Sequence, residues 1–178
     1  MKAIITTILL VATAAVACAQ PTTERIEGAF GMKLGDVFDP AKATGKGSLT
    51  DGTPMYQFAP QKPFRSFKRY FVMITPKTNR IYSIWGIGDF ENTPTAQKEQ
   101  ALIMEILKQK YGDKKKEGLL EAMTDAKQID QGDRSVMVKV SGMMDVTLEI
   151  RYYDDTLKDV AEKERLEIEA KKVDSSGL

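Results

Sequence analysis

Two neighbouring runs of aromatic and β-branched residues constrain the fold of this chain more than any other feature. Residues 70–75 (YFVMIT) and 80–87 (RIYSIWGI) have the composition of strands, and the intervening PKTN at 76–79 is a favourable turn sequence. Both runs are apolar on both faces near their centres, which is typical of strands inside a sheet. The sequence therefore predicts a β-hairpin in the central part of a sheet.

Further strands are predicted on both sides of this hairpin. Residues 55–58 (MYQF) form a short strand candidate, residues 39–53 are expected to form a loop, and 135–140 is a strand candidate with three valines on one face. Residues 145–153 alternate between apolar and polar positions, which predicts a half-buried antiparallel strand. The inward positions of that strand are Val146, Leu148, Ile150 and Tyr152.

Two helices complete the predicted set. The first spans 94–111, with Thr93 as the N-cap and Pro94 in the first turn. Its core-facing stripe is predicted to be Leu102, Ile103, Ile106, Leu107 and Tyr111. The second begins with a capping-box pattern at Thr156 and is charged nearly all round, with a thin apolar stripe of Leu157, Val160, Ala161 and Ile168.

The order of these elements predicts the fold class. Strands followed by a helix occur twice, which favours an α+β domain with an antiparallel sheet and two covering helices, and allows two strands-then-helix halves. We expect one domain over residues 28–168, a flexible leader over 20–27 and a frayed tail over 169–178. In the core, Ile74, Ile84 and Trp85 are expected to pack against the first helix.

The first 19 residues resemble a secretory signal peptide. Lys2 gives a positive start, an apolar run follows over 4–11, and Ala17-Cys18-Ala19 fits the small-x-small pattern of a cleavage site. We expect cleavage before Gln20. The alternative is a lipobox at 15–18, in which Cys18 is acylated and becomes the N-terminus, although Ala15 occupies the position where lipoboxes usually carry Leu.

Two amino acids are informative by their scarcity. The sequence contains no His, and its one Cys is Cys18 at the processing site. A Ser-His-acid triad, a Cys-His dyad and a Cys/His zinc site therefore cannot be assembled. A mature chain without disulfides or Asn-x-Ser/Thr sites favours a bacterial periplasmic or secreted protein. After removal of Lys2 the basic and acidic residues balance, so no global field favours nucleic acid.

Carboxylates are plentiful, and two pairs follow strands. Asp89 with Glu91, and Asp154 with Asp155, could serve acid–base chemistry, but the first turns of helices also favour negative charge. Asp125, Asp130 and Asp133 lie in a predicted polar loop, and their spacing does not match a calcium loop. We assign no catalytic residue, no metal site and no cofactor.

A basic and aromatic segment after Pro63 is the candidate interaction surface. It consists of Phe64, Arg65, Phe67, Lys68 and Arg69. Such mixtures bind nucleic acid or anionic headgroups in some proteins. The alternative is a sheet edge whose aromatic residues face the core and whose cations protect against aggregation.

Several segments give the chain a general resemblance to known proteins. GMKLGD, VMITPKTNRIYSI, ALIMEILKQKYGD and the charged C-terminal helix ending in Ser176-Gly177-Leu178 resemble small exported bacterial α+β domains of unknown function. The arrangement is more weakly similar to β-lactamase-inhibitor-like exported domains, a resemblance that implies protein binding without chemistry. Those domains have a helix pair at the start of each half, which this sequence lacks.

The sequence therefore predicts a non-enzymatic binding or structural module of the periplasm that engages an envelope partner. One alternative is an envelope lipoprotein anchored through Cys18. Another is a hydrolase that uses carboxylates. A polar pocket would favour the enzyme and an exposed apolar patch would favour the binding module. No segment after residue 19 is apolar for long enough to be an integral membrane span.

Overall fold

The computed structural model of the chain describes residues 23–113 and 125–172. The helices of these residues are α1 (Thr93–Tyr111) and α2 (Asp155–Ala170), with a 3-10 turn at Pro40–Lys42. The strands are β1 (Gly28–Ala29), β2 (Met32–Lys33), β3 (Gly45–Ser48), β4 (Pro54–Gln57), β5 (Arg69–Ile74), β6 (Ile81–Phe90), β7 (Ala126–Asp130), β8 (Arg134–Ser141) and β9 (Val146–Asp154).

Seven strands form one antiparallel sheet, in the spatial order β3-β4-β5-β6-β9-β8-β7, and β1 pairs with β2 alone. The predicted α+β class, with an antiparallel sheet and two helices, is therefore confirmed. The predicted hairpin is β5 with β6, and β6 also pairs along most of its length with β9. Asn79 closes the hairpin turn with a φ of 53°, a left-handed conformation that Asn tolerates well.

The two helices lie on opposite faces of the sheet. Neighbouring residues of one strand point to opposite faces, so they pack under different helices. Ile84 belongs to the larger core under α1, whereas Trp85 belongs to a smaller core with Ala161 and Leu157 of α2. The expectation that Ile74, Ile84 and Trp85 share one core is therefore wrong for Trp85. The alternating strand 145–153 is confirmed, since its four inward residues all lie in the larger core.

The buried face of α1 differs from the predicted stripe. Ile103, Leu107 and Tyr111 are buried as expected, but Leu102 and Ile106 are 47% and 51% exposed. The remaining buried positions of the helix are Ala96, Gln100 and Met104. Gln100 can be buried because its Nε2 donates to the carbonyl oxygens of Asp125 and Val138 at 2.8 and 3.0 Å.

The N-terminal end of each helix is capped earlier than predicted, by one residue in α1 and by two in α2. Asn92, not Thr93, is the N-cap of α1, and its Oδ1 accepts from the amide of Thr95 at 2.9 Å. Asp154, not Thr156, is the N-cap of α2 and accepts from the amide of Leu157. A carboxylate or amide oxygen at these positions satisfies backbone donors that the first turn leaves without partners.

Two predicted loops contain strands. Residues 126–130 form the edge strand β7, whose only large apolar side chain, Ile129, is buried. The predicted loop over 39–53 contains β3, at the opposite edge of the sheet. Both strands were missed because each carries too few apolar residues to produce a recognisable alternation.

The described part of the leader is packed against the domain. Ile26 is fully buried, its amide donates to Gln131 Oε1 at 2.7 Å, and its carbonyl accepts from Arg134. The amide of Glu24 donates to the carbonyl of Lys110 at the end of α1. The expectation of a flexible leader is therefore corrected for residues 23–27.

The second helix also makes polar contacts with the turn between β5 and β6. Glu164 is buried and accepts from the amide of Lys77 at 2.6 Å, and Glu167 forms an ion pair with the side chain of Lys77. The helix continues to Ala170, one residue beyond the start of the predicted tail, and 173–178 lie outside the described residues. In the described part of the chain, no helix is both long and apolar enough to cross a membrane.

Candidate functional site

An apolar cleft opens between α1, β1 with the turn that follows it, and the loop 61–68. Its volume is about 350 Å³. One wall is α1, the second is the turn between β1 and β2, the third is the loop 61–68, and β9 forms the floor. The apolar residues that line it are Phe30, Pro63, Phe64, Phe67, Ile103, Ile106, Leu107, Tyr111, Ile150 and Tyr152.

Phe30 forms the wall opposite α1 in a strained conformation. Its φ of 60° is in the left-handed region, which is costly for a bulky residue. The conformation is held because the carbonyl of Phe30 accepts from the amides of Gln61 and Lys62 at 3.1 and 3.4 Å. The ring makes edge contacts with Tyr70 and Tyr152, and it fits because Gly86 has no side chain: a Cβ there would lie 3.0 Å from the ring.

The loop 61–68 contains most of the predicted interaction surface and forms the third wall. Phe64 is partly exposed and Phe67 is buried, and their rings contact each other with centroids 5.6 Å apart. The hydroxyl of Tyr70 fixes the loop: its one proton is shared between the carbonyl oxygens of Phe64 and Phe67, at 3.1 and 3.0 Å, and its oxygen accepts from the amide of Phe64. The two aromatic residues of the predicted surface therefore belong to one cleft.

The three cations of the predicted surface do not line the cleft. Arg65 pairs with Glu99 of α1 at 3.5 Å, and Arg69 pairs with Asp89. Lys68 is exposed. Glu99 also accepts a hydrogen bond from Ser66, so this carboxylate ties the loop to α1. The structure thus divides the predicted set: Phe64 and Phe67 line the cleft, whereas none of the three cations does.

The open side of the cleft is bordered by α1. Ile106 lines the cleft and half of its side chain is in contact with solvent, and Leu102 lies one turn earlier on the same side of the helix. Lys62 and Lys110 stand at the rim. Lys110 is paired with Glu24 at 3.5 Å, whereas Lys62 has no ion pair within residues 23–113 and 125–172.

The sequence did not predict the cleft as a unit. Its walls come from segments separated by thirty or more positions along the chain, as with Phe30, Phe64 and Ile106. The exposed apolar residues on α1 were assigned to the core by their helical spacing. The one sequence signal was the aromatic pair Phe64 and Phe67 in a segment rich in cations.

One member of each carboxylate pair considered for catalysis is engaged in structural contacts. Asp89 pairs with Arg69, and Asp154 caps α2 while its other oxygen pairs with Arg134 at 3.1 Å. The three aspartates of the predicted polar loop lie apart: Asp125 accepts from Gln97, Asp130 from Gln128 and Asp133 from Arg25. Over the described ranges, no group of three or more acidic, His or Cys side chains could hold a metal ion.

The processing residues Ala17, Cys18, Ala19 and Gln20 lie outside the described residues. The described chain begins at Thr23, whose side chain lies against Gly112 at the end of α1. The next residue, Glu24, lines a groove of about 700 Å³ that continues from the apolar cleft and shares Phe30, Lys62 and Tyr111 with it. The chain therefore enters the fold beside the cleft.

Comparison with known proteins found no similarity. No protein-family model, no curated protein and no solved structure matches the chain at a significant level. The site therefore has to be interpreted from its own geometry.

Proposed function

We propose that this protein is an exported binding module of the bacterial envelope, without catalytic activity, that engages a protein partner through the apolar cleft. The partner would insert one or two apolar side chains between α1 and the loop 61–68. The proposal includes export by the N-terminal segment and a periplasmic or secreted location.

The observation that carries the proposal is that Ile106 and Leu102 are exposed beside a cleft whose volume of about 350 Å³ is not filled by the protein's own side chains. Half of each side chain is in contact with water, although buried positions lie next to them on the same helix. Covering such a surface removes apolar area from water, which is the main driving force of protein association. Aromatic walls such as those of Phe30 and Phe64 are typical of the pockets that accept an anchoring side chain.

The rigidity of the cleft also supports this interpretation. Glu99 joins the loop to α1 at one end, and the Glu24–Lys110 pair joins the leader to α1 at the other. Phe30 is held by two backbone hydrogen bonds. A preformed cleft loses little conformational entropy when a partner docks, so more of the contact energy remains as affinity.

The experiment is a capture from envelope extract with matched baits. The baits are the wild-type domain, Ile106→Asp and Leu166→Asp, which replaces an apolar residue that is 65% exposed on the opposite face of the sheet. The proposal predicts that the same protein is captured by the wild type and by Leu166→Asp, and is lost with Ile106→Asp, although that variant stays folded at the temperature of the capture and its melting temperature falls by only several degrees. Equal capture by all three baits would contradict a role for the cleft.

The anchoring alternative is tested separately by the mass of the protein isolated from its host. We expect an unmodified chain that starts at Gln20. A diacylglyceryl group on Cys18 would make the protein an envelope lipoprotein. Because Thr23 enters the fold beside the cleft, such an anchor would hold the cleft within five residues of the membrane surface, or about 18 Å of extended chain.

A further inference from the structure

A second cavity lies on the opposite face of the sheet, beneath α2, and its chemistry differs from that of the cleft. Its volume is about 440 Å³, which is in the range of small-molecule sites. It is enclosed by α2, by the turn between β3 and β4, and by the strands β6, β8 and β9.

The floor of this cavity is an aromatic and guanidinium stack. The guanidinium of Arg151 lies 3.6 Å from the centre of the Trp85 ring, and its Nε donates to Glu149 at 3.0 Å. Its Nη1 lies 3.3 Å from the hydroxyl of Tyr153. Trp85 is fixed in turn because its Nε1 donates to Ser83 at 2.6 Å. Nη2 of Arg151 also donates to Glu149, so these contacts use three of the five guanidinium N–H donors and leave two for a ligand.

Two side chains that line the cavity carry hydroxyl groups that form no hydrogen bond within the described residues. These side chains are Tyr82 and Ser135, which are both 4% exposed. Burial raises the pKa of Tyr82 to about 12, so this hydroxyl keeps its proton at neutral pH. Since the protein does not use these two hydroxyls, they are available to bond to a polar molecule in the cavity.

The charges around the cavity are of both signs. Hydrogen bonds from Thr53 hold the pKa of Asp51 below its usual value, so it stays anionic. Asp51 and Arg165 lie 3.8 Å apart across the cavity mouth. A ligand of one sign would meet as many repelling as attracting side chains. The cationic residues are Arg151, Lys158 and Arg165, and the anionic residues are Asp51, Asp155 and Glu162.

We propose that this cavity binds a small zwitterionic molecule of amino-acid or dipeptide size. Its carboxylate accepts hydrogen bonds from Arg151 and Ser135, which lie on the neighbouring strands β9 and β8. Its ammonium group lies between Asp51 and Glu162 and donates to the hydroxyl of Tyr82. Its apolar part lies against Met73 and the outer surface of the Arg151–Trp85 stack.

The test is thermal unfolding with a panel of probes at millimolar concentration. The panel contains the natural amino acids, simple dipeptides, and single-charge analogues in which either the ammonium or the carboxylate is absent. We expect at least one zwitterion to raise the melting temperature by several degrees, and its single-charge analogues to have little effect. The proposal is wrong if no zwitterion stabilises the protein, or if an analogue of one charge stabilises it equally well.

Substitutions inside and outside the cavity test whether the zwitterion raises the melting temperature by binding in this cavity. Tyr82→Phe removes one hydroxyl and should lose at least half of the zwitterion-induced shift, whereas Tyr56→Phe, which removes a hydroxyl away from the cavity, should keep it. Ile106→Asp should also keep it, so this result is independent of the proposed function of the cleft. Equal shifts in Tyr82→Phe and Tyr56→Phe would overturn the assignment of the site.

Discussion

Replacing Leu107 or Ile106 by Ala tests which face of α1 supports the core. Leu107 is 5% exposed and packs in the larger core, whereas its neighbour Ile106 is 51% exposed. Either change removes three carbons, which are worth about 2.4 kcal/mol when fully buried, at about 0.8 kcal/mol per carbon. At Leu107 the residual cavity adds to this, so we expect a total loss of about 3–4 kcal/mol.

At Ile106 only about half of the 2.4 kcal/mol for burying three carbons is lost, because half of the side chain is already exposed. Truncation at this exposed position also leaves no closed cavity. Ala is also the better helix former by a few tenths of a kcal/mol, so the loss should be about 1 kcal/mol or less. For a domain of this size, 1 kcal/mol corresponds to a change of about 2–4 °C in melting temperature. We therefore expect Leu107→Ala to lower the melting temperature by about 10 °C and Ile106→Ala by about 3 °C or less.

The assay is thermal unfolding followed by circular dichroism, with urea unfolding to obtain the free energies. Met104→Ala, also on the buried face, should resemble Leu107→Ala. The reasoning about the helix face would be refuted if Ile106→Ala destabilised the protein as much as Leu107→Ala does. That result would restore the stripe expected from the sequence.

Three further predictions concern other contacts. Gly88→Ala should destabilise the domain by more than about 2 kcal/mol in urea unfolding, because its Cβ would lie 1.9 Å from a backbone oxygen of the loop 61–68. Asp154→Ala should cost about 3 kcal/mol in the same assay, since it removes the cap of α2 and leaves the half-buried Arg134 without its carboxylate. The hydrogen bond from Lys77 lowers the pKa of Glu167. The ion pair therefore contributes its full stabilisation above pH 4.5 and loses it as the pH falls through the lowered pKa. In Lys77→Met, the pKa of Glu167 measured by NMR should return to about 4.5.

Each of these predictions has a matched control. Gly47→Ala places a Cβ 3.7 Å from Met55 and should be nearly neutral, so an equal loss there would refute the steric argument for Gly88. Asp89→Ala removes an exposed ion pair and should lower the free energy of unfolding by less than about 1 kcal/mol. A decrease as large as that of Asp154→Ala would mean that burial does not determine how much an ion pair contributes to stability. An unchanged titration of Glu167 in Lys77→Met would mean that the ion pair does not persist in solution.

The sheet was predictable where its residues alternate or cluster strongly. The hairpin of β5 and β6 and the strand β9 were recognised because aromatic and β-branched residues dominate them. The face of α1 was not, because Gln100 occupies a buried position that the pattern assigns to solvent. Two carbonyl groups from distant parts of the chain satisfy its amide nitrogen, and no local pattern reveals them.

The candidate sites were predictable only in part. Phe64 and Phe67, predicted from the sequence to be part of an interaction surface, both line the cleft, but the opposite wall of the cleft requires Phe30 in a left-handed conformation beside Gly86. The Arg151–Trp85 stack depends on cross-strand pairing between β6 and β9. Contacts of this kind are set by register, which the sequence of either strand alone does not specify.

The most direct test of the binding function is photo-crosslinking in the native host. A photoreactive amino acid at position 106 should link to one discrete partner, and the same amino acid at the exposed position 166, on the opposite face of the sheet, should not. Phe64→Ala in the protein labelled at 106 should weaken the link, because it removes part of the facing wall. No crosslinked partner at 106, or an identical pattern at 106 and 166, would contradict the claim that the cleft is the binding surface.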